Sequence, residues 1–148
     1  PIGRHQTAGS LLDSLAESGA SLLVRVVDAL ADGTARAVPQ DGDVTLAPKL
    51  GLADGEVDWT LPAEAVSAQI RGVTPEPGAF TTIDDARLKI LDATIARDVP
   101  RMPAGQFALV GRRVVVGTAT DPIELVAVHP SGRRAMDAAS WWRGRPTP

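Results

Sequence analysis

The sequence predicts a mainly β domain with helical additions: a small antiparallel barrel preceded by a long helix and an extended connector. Three observations lead there. Residues 8–32 carry leucine and valine at helical spacing. Residues 33–59 lose that periodicity and are rich in Gly, Pro, Asp and Ala. From residue 79 onward the chain breaks into short β-branched or aliphatic runs separated by turn residues.

In the first element Leu11, Leu12, Leu15, Leu22, Leu23, Val26, Val27 and Leu30 form one stripe. Thr7 is a good N-cap, and Gly33 stands where a C′ glycine ends a helix. About 25 residues at 1.5 Å each span roughly 37 Å, long for a domain of this size. Nothing before the helix can cover its stripe, so the chain reads as if it began inside a larger protein. The connector follows, with short strands expected at Val44–Ala47 and Glu56–Trp59. "TLPAEAVSAQIRG" then reads as a helix of two to three turns. Thr60 is its expected cap, Pro62 is tolerated at its start, Gly72 is its stop, and Ala65, Val66, Ile70 and Val73 face inward. "AFTTI", "ARLKILDA", "GQFALVG", "RVVVGTA" and "IELVAVH" are the five strands, spaced as in a closed or nearly closed barrel of the oligonucleotide-binding kind. "DAASWWRG" closes the chain as a short helix capped by Asp137.

The 148 residues suffice for one ordinary domain, or a small domain with an attached piece of another. At 44% hydrophobic and 22% charged they can bury a core. No apolar run reaches the about 18–20 residues of a membrane span, and "PIGRHQTAGS" has no signal-peptide core. A cytoplasmic protein without a membrane partner is expected. Cysteine is absent, and His5 and His129 lack the spacing of a ligand pair, so no metal is expected and both read as surface or packing residues. No phosphate loop, zinc helix or serine elbow is present. Asp84-Asp85 reads as a turn between strands, and Asp121-Pro122 as another. No residue in the chain is expected to be catalytic.

Charge is more informative. The net value of −3 hides an asymmetry: residues 1–85 carry 5 Lys/Arg against 13 Asp/Glu, residues 86–148 carry 10 against 5. A basic second half suggests a polyanionic partner, with phosphate contacts that give affinity rather than sequence preference. Arg87 and Lys89 alternate on one strand and point to one face. Arg112, Arg113, Arg133 and Arg134 sit in turns. Arg71 ends the second helix, where the dipole favours a cation. Trp59 is a core candidate, and of Trp141 and Trp142 one packs inward while the other is half-buried or a stacking platform.

"DWTLPAEAVSAQIRGVTPEPGAFTTIDDARLKI" resembles the start of the C-terminal domain of the methionyl-tRNA formyltransferase family: Asp-Trp, a short helix, Arg-Gly, a proline loop, Pro-Gly-Ala-aromatic and a Leu-Lys strand. "TAGSLLDSLAESGASLL" is similar to the last helix of that family's catalytic domain, "PQDGDVTLAPKL" to its linker, with Lys49 at a characteristic linker lysine, and "HPSGRRAMDAASWWRG" to its closing segment. The wording is most like actinobacterial members. The resemblance implies an OB-like C-terminal domain over residues 56–148, a linker over 37–55, and over 1–36 the terminal helix of an otherwise missing catalytic domain. It implies a parent enzyme that moves a formyl group from 10-formyltetrahydrofolate to the amino group of methionine on initiator tRNA. This fragment is expected to hold no cofactor and to be inactive alone. Its implied partners are initiator methionyl-tRNA and the absent N-terminal domain. Lys49, Arg71, Arg87, Lys89, Arg112, Arg113, Arg133 and Arg134 are the candidate nucleic-acid-binding residues. Two alternatives stay open: the same module in sugar-nucleotide formyltransferases or formyltetrahydrofolate dehydrogenases, and a nucleic-acid-binding barrel that belongs to no enzyme.

Overall fold

The computed structural model describes residues 2–145, in two compact units that divide between Lys49 and Leu50. The first is built on helix α1, Ala8–Ala31. Its start is a capping box: the Ser10 amide donates to Thr7 Oγ1 at 3.2 Å, and the Thr7 amide donates to Ser10 Oγ at 3.0 Å. Its end is a Schellman turn. Gly33 has φ +69°, the Thr34 amide donates to the Ala29 carbonyl at 2.9 Å, and the Gly33 amide to that of Leu30 at 3.2 Å. No residue of α1 is buried, and Leu12, Leu15, Leu22, Leu23 and Leu30 are all exposed. The connector beyond it forms neither helix nor strand. The strand expected at Val44–Ala47 is absent because its backbone has no ladder partner, and Val44 and Leu46 are 90% and 88% exposed.

The second unit opens with a 3-10 turn, Leu52–Gly55, and helix α2, Ala63–Gly72. Strands follow as β1 (Ala79–Ile83), β2 (Ala86–Ile95), β3 (Phe107–Val110), β4 (Arg113–Val116), β5 (Ile123–Pro130) and β6 (Met136–Asp137), with helix α3, Ala138–Arg143, last. All pairings are antiparallel, in the order β1-β2-β5-β4-β3, with β6 also on β5. The sheet curls into a half-barrel whose edges, β1 and β3, are not paired with each other. All five expected strands are present. The strand expected at Glu56–Trp59 reduces to a single bridge between Glu56 and Phe80.

Asp84 and Asp85 both have positive φ, 49° and 56°, as a two-residue hairpin turn requires, and so set the β1–β2 register with Phe80 opposite Lys89. Across β2 and β5 the register slips on each side of Asp92, leaving Leu91 and Val126 bulged and partly exposed. Inside the curl lie Leu88, Ile90, Val114, Ile123, Leu125 and Val128, covered by Val66 and Ile70 of α2 and by Trp141 of α3. Phe107 joins the layers, edge-on to Trp59 and Trp141 and stacked on Trp142. Trp59 is buried, with its indole N–H donating to Thr81 Oγ1 at 3.0 Å. Trp142 is half-buried.

Two local expectations are corrected. Thr60 does not cap α2, because its amide and hydroxyl both donate to Asp58 Oδ1 in a tight turn. The Ala63 amide is met instead by Thr120 Oγ1 at 2.9 Å, from a loop 57 residues on. Ala65 is exposed, and Ala63 takes the inward position.

Candidate nucleic-acid interface

Strand β2 sends alternate residues to opposite faces. Leu88 and Ile90 enter the core, so Arg87 and Lys89 stand on the outer face together. Register places Lys89 between Phe80 on β1 and His129 on β5. The Arg87 guanidinium lies 4.2 Å from the centre of the Phe80 ring, a cation–π arrangement that holds it over the strand. Arg87, Lys89 and His129, with Pro130, Ser131 and Gly132, line a shallow depression of about 170 Å³. The Ser131 amide donates to the Arg87 carbonyl at 3.1 Å and so ties the loop to β2. His129 Nε2 is 2.7 Å from the Arg133 carbonyl oxygen. A carbonyl only accepts, so Nε2 carries the proton.

The other candidates have different surroundings. Arg133 and Arg134 are exposed on the loop that continues from Gly132, adjoining the depression. Arg112 is exposed at the β3–β4 turn. Arg113, its neighbour, is committed to carboxylates: Nη1 and Nη2 donate to Asp98 at 2.5 and 3.1 Å, and Nε donates to Glu124 at 2.7 Å. The hydrogen bonds to Asp98 and then to Glu124 raise the Arg113 pKa above its ordinary value, and the same Arg113 bond lowers that of Asp98. Arg71 is half-buried in the last turn of α2, with Nη1 donating to Ser67 Oγ at 2.7 Å. Lys49 is exposed at the end of the first unit. The structure thus brings Arg87 and Lys89 together beside the Arg133–Arg134 loop.

His129, expected to be a surface or packing residue, is exposed and joins this group. Alternation from Val128 would turn it outward, but its place beside Lys89 depends on a β2–β5 register displaced twice by bulges. Arg145, one of the basic residues at the C-terminal end of the chain, has a structural role. It lies 4.5 Å from the centre of the Trp142 ring and donates to Asp84 Oδ2 at 2.5 Å, which ties the end of α3 to the β1–β2 turn. Among the described residues no group of His, Asp and Glu could hold a metal ion, and no helix is long and apolar enough to cross a membrane.

Residues 49–146 match the family model "Formyl transferase, C-terminal domain". The chain is 55% identical over 97% of its length to methionyl-tRNA formyltransferase of Clavibacter michiganensis, and 54% identical to that of Clavibacter sepedonicus. It spans 47% of each of those relatives. Among solved structures, HypX from Aquifex aeolicus matches 97% of this chain with 27% of its own, at a TM-score of 0.74 and 14% identity.

Proposed function

The chain belongs to the formyltransferase C-terminal domain family, and from that premise we propose that it is the tRNA-holding C-terminal part of a methionyl-tRNA formyltransferase. One observation carries the reading: 55% identity along 97% of the chain to a protein of that name. In this reading residues 1–36 end a preceding catalytic domain, 37–55 are a linker, and 56–148 are the RNA-holding domain. The chain spans 47% of that relative, which is consistent with a preceding domain that would cover the exposed leucines of α1.

The parent acts in translation initiation in the cytoplasm, formylating the methionyl amino group of initiator tRNA with 10-formyltetrahydrofolate. The depression beside Lys89 holds about 170 Å³, below the roughly 300 Å³ of the smallest drug-sized sites, so it is not proposed as the donor's site. Folate and catalytic groups are therefore assigned to the rest of the parent, and this chain supplies binding and orientation. Arg87, Lys89, Arg133 and Arg134 would meet RNA phosphates on the outer sheet face, with Lys49 meeting them from the linker. Such contacts position a substrate without reading its sequence.

Binding of this chain to initiator tRNA over a salt series tests the reading, with a sugar nucleotide as control. Micromolar affinity that falls steeply with salt is expected, because each neutralised phosphate releases counterions. Negligible binding at low salt, or preference for the sugar nucleotide, would remove the RNA-holding role.

A further inference from the structure

An aspartyl carboxyl can be attacked by the backbone nitrogen of the residue that follows it, and a glycine in that next position leaves the nitrogen unshielded. The chain has no asparagine, so aspartate is the source of any such change. Asp-Gly occurs three times, at Asp32-Gly33, Asp41-Gly42 and Asp54-Gly55. Two of the pairs are held. At the end of α1 the Asp32 amide donates to the Asp28 carbonyl at 2.9 Å and the Gly33 amide to that of Leu30 at 3.2 Å, which engages the attacking nitrogen in the helix cap. In the 3-10 turn of the second unit Asp54 Oδ2 accepts from the Gly51 amide at 2.6 Å. Gly55 is buried there, so close to the Gly78 carbonyl that a Cβ on it would overlap that oxygen.

Asp41-Gly42 has none of these restraints. Both residues are exposed in the connector, which forms neither helix nor strand. The Gly42 amide has no main-chain partner among the described residues and stands 2.9 Å from Asp41 Oδ1. The carboxyl is thus already folded back on the nitrogen that attacks it. Gly42 has φ +105°, a conformation that favours glycine, and even a Cβ built there would meet nothing within 4 Å. Ring closure meets no neighbouring group.

We propose that Asp41-Gly42 is the site at which this chain converts aspartate to isoaspartate, through a succinimide. The Gly42 nitrogen bonds to Asp41 Cγ and gives up its proton, and a carboxyl oxygen leaves as water. Water then opens the ring. Opening at the Cγ–N bond restores aspartate. Opening at the bond from that nitrogen to the Asp41 main-chain carbonyl carbon leaves isoaspartate, with the backbone running through Cβ and Cγ and a free α-carboxylate. Nothing is oxidised or reduced, and the net charge is unchanged. The connector gains a methylene in its backbone, while the hydrogen bonds and core of the half-barrel are untouched. The assignment is independent of the RNA-holding reading.

Incubation of the 148-residue chain in neutral buffer at physiological temperature, followed by tryptic mapping, tests it. Cleavage after Arg25, Arg36, Lys49 and Arg71 puts the three Asp-Gly pairs in separate peptides, 26–36, 37–49 and 50–71. Peptide 37–49 should accumulate a second form of equal mass that accepts a methyl group from an isoaspartyl methyltransferase, preceded by a species lighter by one water. That form should accumulate at least about fivefold faster than in the other two peptides, because a held pair reacts only when it opens. Of those two, 26–36 should lead, since a helix end frays more readily than a segment packed on a core. Asp41→Glu should abolish the new form, because a glutamyl carboxyl closes only a larger ring, and more slowly. In urea that unfolds the chain, the three rates should converge. Equal rates in the folded chain, or a lead by either other peptide, overturn the assignment. So does a form in 37–49 that persists in Asp41→Glu, which would belong to Asp43, and so does a folded chain in which 37–49 gains no isoaspartate.

Discussion

Arg87 and Arg113 stand near the starts of two strands of one sheet, and their surroundings give them opposite work. Arg113 is held by two carboxylates and Arg87 only by an aromatic face. Replacing Arg87 with Met should weaken tRNA binding and lower its salt slope by about 1 with little change in melting temperature. Replacing Arg113 with Met should lower the melting temperature and leave tRNA affinity nearly unchanged. The second variant also tests an acid dependence. The hydrogen bond from Arg113 lowers the folded-state pKa of Asp98 below its unfolded value, so this contribution is present above the unfolded pKa. It is lost as pH falls through the lower, folded pKa, in the range beneath about pH 4. Asp58, held by Thr60, and Asp137, held by Ser140, act in the same direction. Melting curves from neutral pH into that range should show Arg113→Met losing less stability on acidification than the parent chain. Parallel losses would mean that the Arg113–Asp98 pair contributes nothing to the acid response.

At the scale of elements, signals carried by neighbours in sequence were legible. Thr7 and Gly33 bound α1, the Asp84-Asp85 pair turns β1 into β2, and Asp137 caps α3. Each is a contact between residues no more than about five apart, so the sequence order already contains it. The start of α2 shows where such reading ends. Thr60 has the right chemistry, but the nearer Asp58 captures it, and the Ala63 amide turns to Thr120, which no local pattern could name. The same holds for the site. Arg87 and Lys89 on one face follow from strand alternation, whereas His129 beside them follows from a doubly bulged register. Thr120→Val should therefore cost about 1 kcal/mol, the scale of a lost N-cap. Thr60→Val should cost less, since it removes a bond at an exposed turn. Urea denaturation of the two variants distinguishes them, and an equal or larger loss in Thr60→Val would return the cap to Thr60.

At the scale of the whole molecule, apolar residues are divided unevenly between the units. Every residue of the two buried clusters lies at or beyond Val57, while none of α1 is buried. The stability of residues 50–148 should then be a property of their own core. Helix α1 gains its end caps but no buried stripe, and most helical stability in proteins comes from packing such a face. Trp59, Trp141 and Trp142 all belong to the second unit, so tryptophan fluorescence reports that unit alone, whereas far-ultraviolet circular dichroism sees both. On heating the full chain, fluorescence should show one cooperative transition. Dichroism should show the same transition on a broad, gradual loss of helix that begins at lower temperature. Deleting residues 1–49 should remove the gradual component and shift the fluorescence midpoint by less than about 2 °C, below the roughly 4 °C that a 1 kcal/mol change produces in a domain near 100 residues. A larger fall on deletion would show that the half-barrel draws stability from the first 49 residues, and that the leucines of α1 are partnered within this chain. A cooperative helix transition at the same midpoint would say the same. Gradual melting with an unmoved midpoint would leave the leucine stripe free for the remainder of a longer parent.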